Sequence, residues 1–297
     1  MTESLWRRLA GRMRRSRPKA TSAGTSAKRR KPRTPTVAPF VLKGEHEKYP
    51  RPLTNSRPTP AEHAWLPLYG TANRIPGLSP SGNATPDDKT VLSSLRLQLA
   101  DIEDVPSLSN LTHVRAYAPG LVELLTVSTP EAVIAPPATD LAHLGSPEEL
   151  VEVARHNLVH TLADIGEEIE VRHFETTEGL TFTGLLGDSL SVASLAIELP
   201  RVSRLLHPGS DLSKGVFVAV PNAHHLALRI VDNVSSLMSV GPMSVFARNG
   251  YKDSGATSPH VYWAHGEHLE TLTPLTTHER GQIAIRVPPA LSELLDR

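Results

Sequence analysis

Three groups of side chains in this 297-residue chain combine residue types and spacings that could do chemistry. Gly187-Asp188-Ser189-Leu190 follows an apolar segment and offers Ser189 as a hydroxyl that an imidazole could activate for attack on an ester carbonyl. The segment HVYWAHGEH holds His260, His265 and His268 with Glu267 between them, three nitrogens and an oxygen of the kind a tetrahedral zinc site uses. On a strand, however, the 260-to-265 spacing places those two rings on opposite faces, so only a turn at Gly266 would bring them together. The alternative is a set of surface histidines beside an edge strand. His156 and His160 stand one helical turn apart, but residue 157 is Asn where the metalloprotease pattern HExxH needs its glutamate base. Neither GxxxxGK[ST] nor a GxGxxG entering a helix occurs. Glu167, Glu168 and Glu170 read as a solvated acidic face, and no metal or cofactor is expected.

The elements that must position these residues are predicted over residues 87–297, as an α+β domain with a mostly antiparallel mixed sheet and a few packed helices. Asp87 and Asp88 precede TVLSSLRLQLADI, whose Val91, Leu92, Leu95, Leu99 and Ile102 share one helical face and predict a helix. The alternation in LRLQL keeps a strand open as the other reading. THVRAYA and LVELLTVS, separated by Pro119-Gly120, predict two strands. Ser146, Pro147 and Glu149 form a capping box ahead of a helix whose buried stripe is Leu150, Val151, Ala154, Leu158 and Leu162. Alternation around Ile169, Val171 and His173, then Leu180, Phe182 and Gly184, predicts a hairpin. KGVFVAVP and LALRIVD, joined at Asn222-Ala223-His224-His225, predict a second hairpin that is apolar on both faces, as central strands covered on each side are. Its turn histidines need no ligand role. Asn233 is expected to cap NVSSLMSV, with Gly241-Pro242 breaking that helix, while HVYWAH and GQIAIRV predict strands and PALSELLDR a closing helix.

The remainder of the chain differs in composition. The full sequence balances 31 Lys and Arg against 31 Asp and Glu. Residues 1–43, however, hold 13 bases and the single acid Glu3, a net charge of +12, which leaves 18 bases, 30 acids and a net −12 elsewhere. Within this arm Leu5, Trp6, Leu9 and Met13 line one side of a short amphipathic helix, and Arg7, Arg8, Arg14 and Arg15 line the rest. Arg29, Arg30 and Lys31 form a second cluster in a stretch too polar to fold by itself. The arm is predicted to be largely disordered and to meet an anionic surface, membrane or nucleic acid, through these cations. Residues 44–86 are a proline-rich extended connector, in which Trp65 and Tyr69 could dock on the domain or on a protein partner. With no cysteine and no apolar run near ~18 residues, disulfides, thiolate sites and a spanning helix are excluded, and a cytoplasmic location, peripheral to a membrane through the arm, is expected.

Two resemblances add to this reading. The string around Ser189 is similar to the signature of the GDSL-type serine esterases, which implies a downstream Asp-x-x-His. The later aspartates are Asp211, Asp232, Asp253 and Asp296, none with a histidine three positions on, while Asp140 and His143 have the spacing upstream. The string therefore reads as a turn between two apolar segments. Residues 146–232 resemble the YtpQ-like family of bacterial domains of unknown function. The likeness lies in Ala154, Asn157 and Leu158 on a helix, in the small-residue run from Asp188 to Leu206, and in Val218 to Asn222. Ala223-His224-His225 stands where that family continues through an acidic position. The resemblance implies a fold and no reaction, so the expected function is a binding or interaction module, with a serine hydrolase or a polyanion tether as the alternatives.

Overall fold

The computed structural model describes residues 87–105, 108–128, 132–252, 255–266, 268–273 and 284–296, together with the backbone of 66–70. It forms the expected α+β fold, with its strands divided between two antiparallel sheets. The first contains β1 (Leu66–Gly70), β2 (Leu95–Asp101), β3 (Val114–Ala118), β4 (Leu121–Ser128) and β5 (Ala132–Ala135), ordered β1-β5-β4-β2 with β3 also on β4. The second contains β6 (Ile169–Glu175), β7 (Thr181–Gly187), β8 (Val216–Asn222), β9 (His225–Ile230), β10 (Val261–His265) and β11 (His268–Thr271), ordered β11-β10-β8-β9-β7-β6. The helices are α1 (Asp88–Ser94), α2 (Ala138–Leu141), α3 (Pro147–His160), α4 (Leu199–Leu206), α5 (Val240–Gly250) and α6 (Pro289–Leu295).

The connector contributes β1, which pairs with β5 from Leu66↔Ala135 to Gly70↔Ala132. An edge position suits it, because Pro67 has no N–H to give to a neighbour on each side. The helix expected across residues 90–102 is corrected. It stops at Ser94, and Leu95 is extended (φ −62, ψ 133) as the chain enters β2. A helical stripe and a period of two share Leu95 and Leu99, but only the strand also buries Leu97, and it opens a full ladder to β4. Ile102, the last residue of the supposed helical face, is 44 % exposed. Asn157 of α3 secures the transition, its Nδ2 donating to Leu92 O at 2.8 Å and Leu95 O at 3.0 Å. Those carbonyls belong to a helix end, where the backbone has no partner of its own.

The capping box at Ser146 and Glu149 forms as expected, and α3 buries Leu150, Ala154 and Leu158, each leucine contributing about 1.5–3 kcal/mol. These side chains join one cluster that draws on both sheets and on the segment Val192–Val202 between them. The chain from Leu190 into that segment also covers the open edge of β2, since Ser194 Oγ accepts from Leu99 N and Leu190 O accepts from Gln98 Nε2. The opposite face of the second sheet packs Phe217, Ala219 and Ala227 against Met243 and Phe246 of α5 and Leu291 of α6. Strand β8 is therefore buried at every position, as its apolar run predicts.

Gly241-Pro242 does not break the chain. Asn233 caps a 3-10 turn, Val234–Ser239, and the two residues then open α5, where proline is tolerated because first-turn N–H groups lack acceptors inside the helix. The strand expected at GQIAIRV is absent over residues 284–287, which run as irregular chain with Arg286 N donating to Leu272 O. Residues 281–283 lie outside the described part.

Candidate functional site

Strand β7 starts at Thr181, but its ladder with β9 begins only at Thr183↔Leu228, so the two strands fork below that pair. The fork opens into a cavity of about 440 Å³, within the ~300–1,000 Å³ usual for small-ligand sites. His173, Phe182, Thr183, His207, Lys214 and Arg229 line it, with the acids Glu175, Asp211 and Asp232 at its rim. Alternation along β6 and β7 places His173 directly across from Thr183. His207 arrives from the C-terminal end of α4, whose last turn is closed by its own N–H on Ser203 O.

One hydroxyl joins the two imidazoles. Thr183 Oγ1 lies 3.2 Å from His173 Nδ1 and 3.2 Å from His207 Nε2. A threonine can donate once and accept as well, so the bond to one ring sets the tautomer that satisfies the other. Burial, His173 and then Arg229 hold the His207 imidazole below its ordinary value, which keeps that ring neutral near pH 7. Arg229 Nη2 reaches Asp232 Oδ2 at 3.3 Å, while its buried Nε–H has no acceptor among the described residues.

The rim acids are engaged by their own loops. Asp211 accepts from the Ser213 hydroxyl at 2.7 Å and the Ser213 N–H at 2.8 Å, and these bonds draw it below the usual carboxylate range. Burial pushes Asp232 up, but the Ser236 hydroxyl, Arg229 and the Asn233 N–H together bring it down. The cavity thus presents two imidazoles, Lys214 and Arg229 beside three carboxylates, of which Asp211 and Asp232 are held in place by hydrogen bonds from their own loops.

The 207–215 loop that forms one wall is held from β10. Trp263 Nε1 donates to Lys214 O at 2.9 Å, and His265 Nε2 donates to Ser213 O at 3.1 Å, with the His265 ring stacked on Trp263. Gly215 ends the loop at φ +85, where an added Cβ would lie 2.3 Å from Ala264 O, so only glycine lets the loop close down there.

The residues singled out from sequence fall elsewhere or play other parts. Ser189 lies exposed in a turn, and its Oγ accepts from Ser191 N at 3.2 Å, a local bond that brings no base to it. His265 and His268 face each other across the β10–β11 hairpin. His260 sits beyond the far end of β10 and donates from Nδ1 to Thr273 O at 2.6 Å, with burial lowering its pKa against that bond. Among the described residues no group of three or more His, Asp or Glu is placed to hold a metal ion, and Glu267 lies outside them. His225 Nδ1 accepts from Asn222 Nδ2 at 3.1 Å, and Asn222 also donates to Gly250 O. Trp6, Trp65, Arg7, Arg8, Arg14, Arg15, Arg29, Arg30 and Lys31 lie outside the described residues, and Tyr69 is seen only as backbone in β1.

His207, Lys214 and Arg229 carry no signal in the sequence. They lie in two segments, the 207–215 loop and β9, separated from His173 and Thr183, and only the fork of β7 and β9 brings them to one place. No family model, curated protein or solved structure matches the chain.

Proposed function

We propose that the α+β domain is a binding module for a small anionic molecule, a carboxylate or a phosphate, held in the cavity between β7, β9 and the 207–215 loop. The observation that carries this reading is Arg229, which lines the cavity beside Lys214 and pairs at 3.3 Å with Asp232 through Nη2. The planar guanidinium suits carboxylate and phosphate oxygens. Lys214 adds positive charge, and the His173–Thr183–His207 chain supplies further hydrogen-bonding groups without adding negative charge.

Thermal unfolding of the full chain with inorganic phosphate, pyrophosphate or succinate tests the proposal. At least one of these anions should raise Tm, Arg229→Gln should abolish the rise, and His207→Asn should reduce it. An Arg229→Gln variant that responds to every anion as the parent protein does would overturn the reading.

A further inference from the structure

The exposed face of α3 carries a contact that the cavity does not explain. His156 Nε2 and His160 Nε2 lie 3.0 Å apart, with ring centroids 4.5 Å apart and planes nearly perpendicular at 87°. Both side chains are on the exposed face of the helix. Each ring turns the same nitrogen toward the other, and two neutral imidazoles in this arrangement share a single proton, one donating and one accepting. A metal ion can take the place of that proton.

The separation, which is that of an imidazole–imidazole hydrogen bond, is also short enough for both nitrogens to reach one ion. Two nitrogens each about 2.0–2.1 Å from one ion lie about 2.9 Å apart when the angle at the metal is a right angle, and about 3.4 Å apart at the tetrahedral angle. The observed 3.0 Å matches the right angle. Imidazole nitrogens at right angles suit square-planar or tetragonal ions, Cu²⁺ before Ni²⁺ in affinity, over tetrahedral Zn²⁺. The scaffold is rigid at this point, because Ala154 and Leu158 on the opposite face are fully buried and Asn157 is tied to Leu92 and Leu95. Glu152, one turn earlier, is exposed and lies 4.0 Å from Arg155 Nε, so the pair itself supplies the ligands.

We infer that His156 and His160 form a bidentate surface site for a tetragonal divalent metal ion of the Cu²⁺ class, with water completing its coordination. The asparagine at residue 157 removes the hydrolytic base of HExxH but leaves the histidine spacing, so the site holds a metal without that chemistry.

Calorimetric titration of the full chain with CuSO₄, paired with electron paramagnetic resonance of the bound ion, tests this. The parent protein should bind one more equivalent of Cu²⁺ than His156→Asn or His160→Asn, with a spectrum showing coordinated imidazole nitrogen. Each substitution should weaken that equivalent by about tenfold or more, since loss of an outer-shell partner alone costs about 10–100-fold. Because a chelate needs both rings, either single variant should lose nearly as much as the double variant, while His268→Asn should lose nothing. Equal stoichiometry and affinity in the parent and His156→Asn would overturn the inference. So would single-variant losses that simply add to that of the double variant. Both positions are exposed, and unchanged far-UV circular dichroism of the variants would verify that folding is intact.

Discussion

Removing Arg115 tests how the first sheet tolerates a buried charge. Glu123 is 1 % exposed and lies on the inner side of β4, where its neighbours Leu121 and Leu125 belong to the shared core. Arg115 Nη2 donates to its Oε2 at 2.6 Å from the adjoining position on β3, and His113 Nε2 lies 3.1 Å from Oε1. Burial alone would raise the Glu123 carboxyl, but the hydrogen bonds from His113 and Arg115 outweigh it and hold the group below its ordinary value. Taking one partner from a wholly buried pair costs about 3–5 kcal/mol. The Arg115 side chain is 55 % exposed and His113 remains, so screening reduces the expected cost of Arg115→Ala to about 2 kcal/mol. For a domain of this size that lowers Tm by about 4–8 °C.

The pH dependence gives a sharper check. A folded-state value below that of the unfolded chain means that Glu123 stabilises the fold above about pH 4.5, and that this contribution is lost as the pH falls through the folded value. Arg115→Ala raises the folded value, so the variant's deficit should be full at pH 7 and shrink below about pH 4. Urea unfolding followed by far-UV circular dichroism and by the fluorescence of buried Trp263 measures both quantities. A deficit under about 0.5 kcal/mol at pH 7, within the range of ordinary surface substitutions, refutes the reasoning. A deficit that stays constant or widens on acidification refutes it as well.

His225 should govern a different pH range. Burial, followed by His224 and Arg172, lowers its pKa to about 4, so the unfolded chain takes up the proton first. Stability from this group is then intact above about pH 6.5 and declines as the pH falls toward about 4, and His225→Gln should flatten that decline. Urea midpoints at pH 7, 5.5 and 4.5 check this, and parallel curves for the two proteins would dismiss it. For the arm, deletion of residues 1–43 should abolish low-salt retention on heparin or on anionic liposomes, given its net charge of +12. Unchanged retention would remove the polyanion proposal.

Much of the fold was legible where a local rule and the packing agree. Ser146, Pro147 and Glu149 specify the start of α3 through groups within one turn of each other, and the structure closes that box. The hairpins β6–β7 and β8–β9 follow from alternation and turn residues. Legibility failed where two periods overlapped. Leu95 and Leu99 satisfy a helix and a strand equally, and the decision came from β4, which offers β2 a partner from Leu121 to Val127. Likewise, Gly241-Pro242 is a breaker by local rule, but it opens α5 once the turn capped by Asn233 sets the helix start before it.

The candidate site was less legible than the fold. The suggestive strings cluster residues in sequence: Ser189 in its turn, and His260, His265 and His268 around one hairpin. The cavity instead gathers His173 and Thr183, His207, Lys214 and Arg229, whose spacing carries no motif. His265 illustrates the difference, for its ring supports the loop that walls the cavity by holding Ser213 O.

By itself, the sequence determined the α+β class, the basic arm with its charge of +12, the capped helix α3 and the two central hairpins, because each depends on side-chain periodicity, charge or groups a few residues apart. Only the tertiary structure decided the division into two sheets, the strand character of residues 95–101, the addition of β1 to β5, and the meeting of two imidazoles on one threonine hydroxyl. Those outcomes turn on which strand pairs with which and where a ladder ends, and such pairings are set by contacts between segments far apart in the chain.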